Sequence, residues 1–158
     1  AANATAIRLE IQPGETGPEA WERFYENLEI NSAEQLTILD QQIRSTVGLL
    51  SAKAGKAQGK GDNEQAVEYF AQTRDALAAA IAAGHVQPWM YRAYAIALRA
   101  TSAPDEEVER ALLSAVDFAE NPEDILHVAA RLEAIGSGGA ALELCQRVAS
   151  MDRYRREP

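Results

Sequence analysis

Apolar residues recur three or four positions apart along most of the chain after Gly17, which is the spacing of one helical face. The first such stripe is Trp21, Phe24, Tyr25 and Leu28, and the second is Leu36, Leu39, Ile43, Val47 and Leu50. In a third, Ala66, Val67, Phe70 and Leu77 are expected to point inward. Since no strand pattern follows residue 12, we predict an all-α fold of about seven helices.

Helix start and stop signals divide these stripes. Ser32 and Gln35 form a capping-box pattern, and Asp62 or Asn63 can cap the next helix. The remaining signals are a helix end near Gly84-His85 and a helix start at Pro88. Two further helices have acidic first turns, at residues 104–107 and 121–124, and residues 136–139 separate the last two helices.

The first residues have a different pattern. Ile7, Leu9 and Ile11 alternate with polar residues and are followed by Pro13-Gly14, which predicts a short extended segment. We therefore divide the chain into an extended N-terminal segment, residues 1–17, and a single helical domain, residues 18–158.

The end of the chain suggests a fragment of a longer protein. The last residues, "MDRYRREP", directly follow an apolar helix, whereas stacked helical repeats usually finish with a polar capping helix. An exposed apolar end would promote weak self-association of the isolated chain.

Three of the predicted helices share a small or apolar residue followed four positions later by a larger one. These pairs are Ala66/Phe70, Val108/Leu112 and Ala141/Cys145, and a predicted helix precedes each of them. Val108 lies 42 residues after Ala66, and Ala141 lies 33 residues after Val108. This spacing indicates repeated helix pairs.

The stretch "GDNEQAVEYF", residues 61–70, resembles the turn and second helix of a tetratricopeptide repeat. Gly61, Asp62, Ala66, Tyr69 and Phe70 carry the resemblance, and residues 138–152 share it less closely. It extends over roughly residues 47–152. The resemblance implies a right-handed stack of antiparallel helix pairs, a tetratricopeptide-like α-solenoid.

The same resemblance implies a function in protein–protein interaction or assembly, with a peptide or partner helix lying on a concave face. The lysine and asparagine set with which some family members hold a carboxyl terminus has no counterpart in this chain. The groove would instead contain mainly Ser51, Gln58, Met90, Ala93, Ala97, Leu126 and Ala130. The candidate partner-binding residues are Arg92, Tyr94, Arg99, His127 and Arg131.

Closely spaced glycines and lysines in "AGKAQGKGDNEQAVEYF", residues 54–70, raise the alternative of a phosphate-binding loop. Such a loop needs a preceding strand, four residues between its first glycine and Gly-Lys, and Ser or Thr after the lysine. Here six residues separate Gly48 from Gly55, Ala57 follows Lys56, and the preceding stretch is helical in character. We predict a turn between two helices and no nucleotide site.

Composition narrows the possible functions of the protein. The net charge of −9 argues against a nucleic-acid partner, and no apolar run is long enough for membrane insertion. The single cysteine, Cys145, excludes an internal disulfide and is expected to be a buried thiol. Neither His85 nor His127 has a partner at catalytic or metal-binding spacing. We expect a non-catalytic protein without cofactor or metal.

Two other hypotheses for the function are compatible with the sequence. Trp89, Tyr91 and Tyr94 could line an aromatic pocket in an all-α enzyme or small-ligand-binding domain, although helical spacing also suits a core position. The chain could also be a structural spacer in a larger protein. The compartment is not determined, since the first residues fit either a cytoplasmic protein or one exported after signal cleavage.

Overall fold

The computed structural model of the chain describes residues 17–119 and 121–156, with side chains up to Met151. Every regular element in this part is an α-helix, which confirms the predicted all-α class and helix number. The seven helices are α1 (Pro18–Glu26), α2 (Ala33–Gly59), α3 (Asn63–Ala82), α4 (Pro88–Ala100), α5 (Asp105–Asp117), α6 (Pro122–Ala134) and α7 (Gly138–Arg156). The predicted extended segment, residues 1–17, lies outside the described residues except for Gly17.

The helices form two compact units, the first ending at Val86 and the second beginning at Gln87. In the first unit, α2 packs along α3, and α1 also packs on α3. Its core contains the predicted α2 residues from Leu39 to Leu50 and, on α3, Ala66 and Leu77. Trp21 and Tyr25 are the buried aromatic side chains of α1.

The second unit consists of two helix pairs. The helices α4 and α5 pack together, as do α6 and α7, and α5 packs on α6 to join the pairs. Their apolar faces form one core, whose most buried members include Leu98, Val108, Leu112, Ile125, Val128 and Leu132. In addition, the Ser137 hydroxyl donates a hydrogen bond of 2.8 Å to Glu109 Oε2, which connects the α6–α7 turn to α5.

Four helices end in the same hydrogen-bonded motif, in which a residue with positive φ reverses the chain. At the end of α2, the Gly61 N–H donates to the Gln58 carbonyl and the Asp62 N–H to the Ala57 carbonyl. These two bonds define a Schellman motif. The corresponding residues after α3 and α6 are Gly84 and Gly136, whereas after α4 the position is occupied by Ser102 at φ 58°.

Side-chain caps begin three of the helices. The side chains of Ser32, Asp62 and Asn121 accept hydrogen bonds of 3.0–3.1 Å from the backbone N–H groups three residues later. Asp62 therefore participates in the end of α2 and also caps α3. As a result, the turn between these helices is only three residues long.

The glycine- and lysine-rich stretch is therefore helix and turn rather than a phosphate-binding loop. Gly55, Lys56 and Gly59 lie inside α2, and the chain before them is helical back to Ala33. The predicted turn is confirmed, but it is limited to residues 60–62.

One residue that was predicted to point inward does not, because Val67 on α3 is 45% exposed. Phe70 is partly buried, and Leu36, the first residue of the predicted α2 stripe, is 41% exposed. The Cys145 thiol is also exposed, because α7 buries Ala141, Leu144 and Val148 instead. Helical spacing alone does not distinguish these neighbouring stripes.

Candidate functional site

Three of the predicted partner-binding arginines lie on neighbouring helices of the second unit. Arg92 and Arg99 are seven residues apart on α4, and Ile96 lies between them on the same face. The core of the second unit is contacted by Ala95 and Leu98 of the same helix. Arg92 and Arg99 are therefore at the edge of the α4 face that packs on α5, where Arg92 is partly exposed and Arg99 is exposed.

An ion pair brings α6 to this face. Arg92 Nη1 lies 3.6 Å from Asp124 Oδ1, and both side chains are partly exposed. Solvent-exposed pairs of this kind contribute about 0–1 kcal/mol to stability. The contact therefore orients Arg92 relative to the first turn of α6 more than it stabilises the unit.

Arg99 and Arg131 line the same small cleft between α4, α5 and α6. The other lining residues are apolar, namely Ala95, Ile96, Val108, Leu112 and Ile135. The volume of about 10 Å³ is no larger than one water molecule requires. A ligand would therefore lie across this cleft, with the two arginines at its edge.

The three arginines are close enough for their positive charges to repel. Partial burial of Arg131, followed by repulsion from Arg92 and then Arg99, lowers the pKa of the Arg131 guanidinium from its ordinary value. Arginine nevertheless stays protonated in proteins. The α4–α6 face thus carries concentrated positive charge, and we call Arg92, Arg99 and Arg131 the arginine cluster.

The other two predicted residues have different positions. His127 is exposed on α6, one turn before Arg131, so it lies on the same side of that helix. Tyr94 does not line the cleft that contains Arg99 and Arg131. It lines a larger cleft on another side of α4.

This larger cleft, which we call the tyrosine cleft, has a volume of about 460 Å³. It is lined by Tyr91, Tyr94, Leu98, Glu107, Arg110, Ala111 and Ser114. Tyr91 also stacks on Phe118, with ring centroids 5.6 Å apart and planes inclined by 20°. Sequence reasoning predicted the two tyrosines but missed the α5 side chains, although Glu107, Arg110 and Ser114 share one helical face.

Trp89, the third aromatic residue predicted for such a pocket, does not line the tyrosine cleft. Its Nε1–H donates a hydrogen bond of 3.0 Å to Gln87 Oε1, at the start of α4. The aromatic residues of α4 therefore do not form one ligand box.

The predicted groove residues also require a correction. Met90 and Ala97 are fully buried, so neither side chain can line a groove. Leu126 and Ala130 of α6 are exposed, and Ala93 of α4 is partly exposed. Ser51 and Gln58 are exposed on α2, in the first unit.

Within residues 17–119 and 121–156, no group of three or more His, Cys, Asp or Glu side chains could hold a metal ion. The acidic clusters at residues 105–107 and 123–124 lie in the first turns of α5 and α6, where negative charge interacts favourably with the helix dipole. In the same part of the chain, no helix has the length and apolarity needed to span a bilayer.

Comparisons of the chain with protein-family models, with curated proteins and with solved structures each gave no match.

Proposed function

We propose that this chain is a non-catalytic protein–protein interaction or assembly module, which binds a peptide or partner helix on the exposed face of α4 and α6. The observation that supports it is the arginine cluster. Charged side chains held together on two neighbouring helices form a surface that a partner can recognise by electrostatic complementarity.

The arrangement of helix pairs within the second unit supports a tetratricopeptide-like stack as the scaffold. The pairs α4–α5 and α6–α7 follow one another along the chain, each pair packs internally, and α5 packs on α6. The turn that resembles the family, at Gly61 and Asp62, is followed by the buried small residue Ala66 on α3. In such a stack, the first helices of successive pairs, here α4 and α6, line the concave face.

The proposed mechanism is binding without rearrangement of the helices. The face offers Arg92, Ile96 and Arg99 from α4, and His127 and Arg131 from α6. An extended segment or a helix laid across them would bury the exposed part of Ile96. Most of the specificity would come from the guanidinium groups, which form planar, directional hydrogen bonds.

The test begins with selection of peptides from a random displayed library on the immobilised whole chain. Binding of a selected peptide is then mapped by amide chemical shifts of the labelled protein. We expect the perturbed amides to cluster around residues 92–99 and 127–131.

Variants define the role of the cluster. The double substitution Arg92→Ala with Arg131→Ala should weaken binding at least tenfold, since each lost charged hydrogen bond costs about 1.5–3 kcal/mol. Arg44→Ala, which removes an exposed arginine from α2, is the matched control and should leave affinity unchanged. Unchanged affinity in the double variant would refute the anchoring role of Arg92 and Arg131.

The tyrosine cleft supports a second candidate, a small-ligand-binding domain. Its volume of about 460 Å³ is within the usual range for ligand pockets, and it combines aromatic, apolar and charged side chains. A fragment screen observed through the amides of Tyr91, Glu107 and Ser114 separates the two candidates. Saturable fragment binding there, with no peptide selected by the α4–α6 face, would favour the small-ligand function over the interaction module.

A further inference from the structure

We infer that the partner of the α4–α6 face presents an internal acidic segment, whose side-chain carboxylates bind Arg99 and Arg131 while a neighbouring aliphatic side chain covers Ile96. This inference rests on the proposed function and specifies the chemistry of the partner. It concerns carboxylates within a chain and does not require a free carboxyl terminus.

The charge distribution is the first argument. The chain has 24 acidic and 15 basic residues, yet three arginines lie together on this face. In the part of the chain that the structure describes, no carboxylate forms an ion pair with Arg99 or Arg131. Their mutual repulsion would be relieved by an anion bound between them.

The three arginines are not equivalent. Arg92 already pairs with Asp124, so part of its charge is neutralised within the molecule. Arg99 is exposed and Arg131 is partly buried, and both lie at the edge of one cleft. A guanidinium group offers parallel N–H donors that match the two oxygens of a carboxylate. The Arg99–Arg131 pair is therefore the expected carboxylate site.

The apolar part of the cleft determines which side chain the partner should carry next to its carboxylates. Ile96 is 37% exposed and lies one turn from Arg99, and it forms a wall of the cleft together with Ile135. Because the cleft holds only about 10 Å³, an aliphatic side chain would cover its mouth rather than enter it. An acidic segment containing one leucine or isoleucine satisfies both features.

The surroundings disfavour a long polyanion. Glu123 and Asp124 lie in the first turn of α6, and Glu133 lies near its end, so acidic groups limit the basic surface at both ends of that helix. The net charge of −9 would further repel nucleic acid beyond the few contacts at the cluster. A short acidic segment can engage the cluster without meeting these carboxylates along its whole length.

The probe is the blocked peptide acetyl-GGDLEEGG-amide, titrated into the labelled whole chain up to millimolar concentration. The amide counterpart acetyl-GGNLQQGG-amide keeps the leucine and the shape but removes the charge. We expect saturable shifts at residues 96, 99 and 131 with the acidic peptide, and at least tenfold weaker binding of the amide counterpart. Binding should also weaken severalfold when salt is raised from 50 to 500 mM.

Variants test the two arginines. Arg99→Gln and Arg131→Gln should each weaken binding about tenfold, whereas Arg99→Lys, which keeps the charge but not the planar donor pair, should have an intermediate affinity. Arg44→Gln removes an exposed arginine from α2 and should bind like the parent chain. Circular dichroism checks that each variant is folded.

The outcomes separate this inference from the proposed function. If library-selected peptides bind the α4–α6 face but the acidic probe does not, or the amide counterpart binds equally well, the acidic partner is wrong and the interaction module stands. Binding only of a peptide with a free carboxyl terminus would also overturn the inference. If neither the probe nor any selected peptide binds this face, both proposals fail. Shifts at residues 96, 99 and 131 that depend on protein concentration alone would identify a second copy of the chain as the occupant instead.

Discussion

Replacing Ser102 with glycine should stabilise the protein. Ser102 occupies the position after α4 where the Schellman motifs of α2, α3 and α6 have Gly61, Gly84 and Gly136. Its φ of 58° lies in the left-handed region, where the Cβ of an L-residue approaches the following carbonyl oxygen. Glycine has no Cβ and adopts this conformation without that cost.

The expected gain is about 0.5–1 kcal/mol. Left-handed backbone costs a non-glycine residue roughly 1–2 kcal/mol, and about 0.4–1 kcal/mol of this is offset by the greater freedom of glycine in the unfolded chain. No side-chain interaction is lost, because within the described residues the exposed Ser102 hydroxyl forms no hydrogen bond.

Urea unfolding followed by circular dichroism measures this effect. With an m-value of about 2 kcal/mol per molar urea, Ser102→Gly should raise the midpoint by about 0.25–0.5 M. Ser102→Ala should leave it nearly unchanged, since alanine is strained in the same way. The reciprocal variant Gly136→Ser should lower it, and a Cβ at Gly136 would meet no atom within 4 Å, so that loss would be purely conformational.

Two results would contradict this reasoning. A lower midpoint for Ser102→Gly would mean that the serine side chain contributes more than its backbone strain costs. An unchanged midpoint for Gly136→Ser would mean that the left-handed position is not under strain in these motifs.

Three further predictions follow from burial and capping. Cys145 should react with a thiol reagent in the native protein at nearly the rate of the unfolded chain, because its thiol is exposed; strong protection would show that α7 packs through a different face. Leu112→Ala should lower the free energy of unfolding by about 2–5 kcal/mol, because Leu112 is only 1% exposed. The neighbouring Leu113 is 39% exposed, so Leu113→Ala should lower it by less than about 1 kcal/mol. Similar losses for the two variants in urea unfolding would refute the assigned orientation of α5. Asn121→Ala should lower the free energy of unfolding by about 1 kcal/mol, because it removes the acceptor of the hydrogen bond from the Asp124 N–H. Asn121→Ser should retain most of this stability, since serine is also a good N-cap residue. An equal loss of stability in both variants would exclude a capping role.

The helix boundaries were predictable because their causes are local. The caps at Ser32, Asp62 and Asn121 act on a backbone N–H only three residues away. The end of α3 at Gly84 likewise depends on the conformational freedom of one glycine. Such signals do not need the rest of the fold.

The buried face of a helix was less predictable where two apolar stripes lie side by side. On α7, Ala141, Leu144 and Val148 form one stripe, and Leu142 with Cys145 forms part of the next. Both have helical spacing, and packing against neighbouring helices buries the first and exposes the second. Val67 on α3, next to the buried Ala66, was misassigned for the same reason.

The candidate site was also only partly predictable from the sequence. The shared face of Arg92 and Arg99 follows from their spacing on α4. The proximity of Arg131 depends on the packing of α5 on α6, and the cleft around Tyr94 depends on side chains contributed by α5. Single-helix patterns identified the residues, but only tertiary packing separated them into the arginine cluster and the tyrosine cleft.

The packing of each helix on its chain neighbour has a consequence for the speed of folding. Contacts between α2 and α3, and between successive helices from α4 to α7, join segments that are close in sequence, so little chain entropy is lost before they form. Proteins dominated by such local contacts fold on the microsecond-to-millisecond scale. Docking of α1 on α3 spans the whole of α2, and we therefore expect it to be the late step in assembly of the first unit.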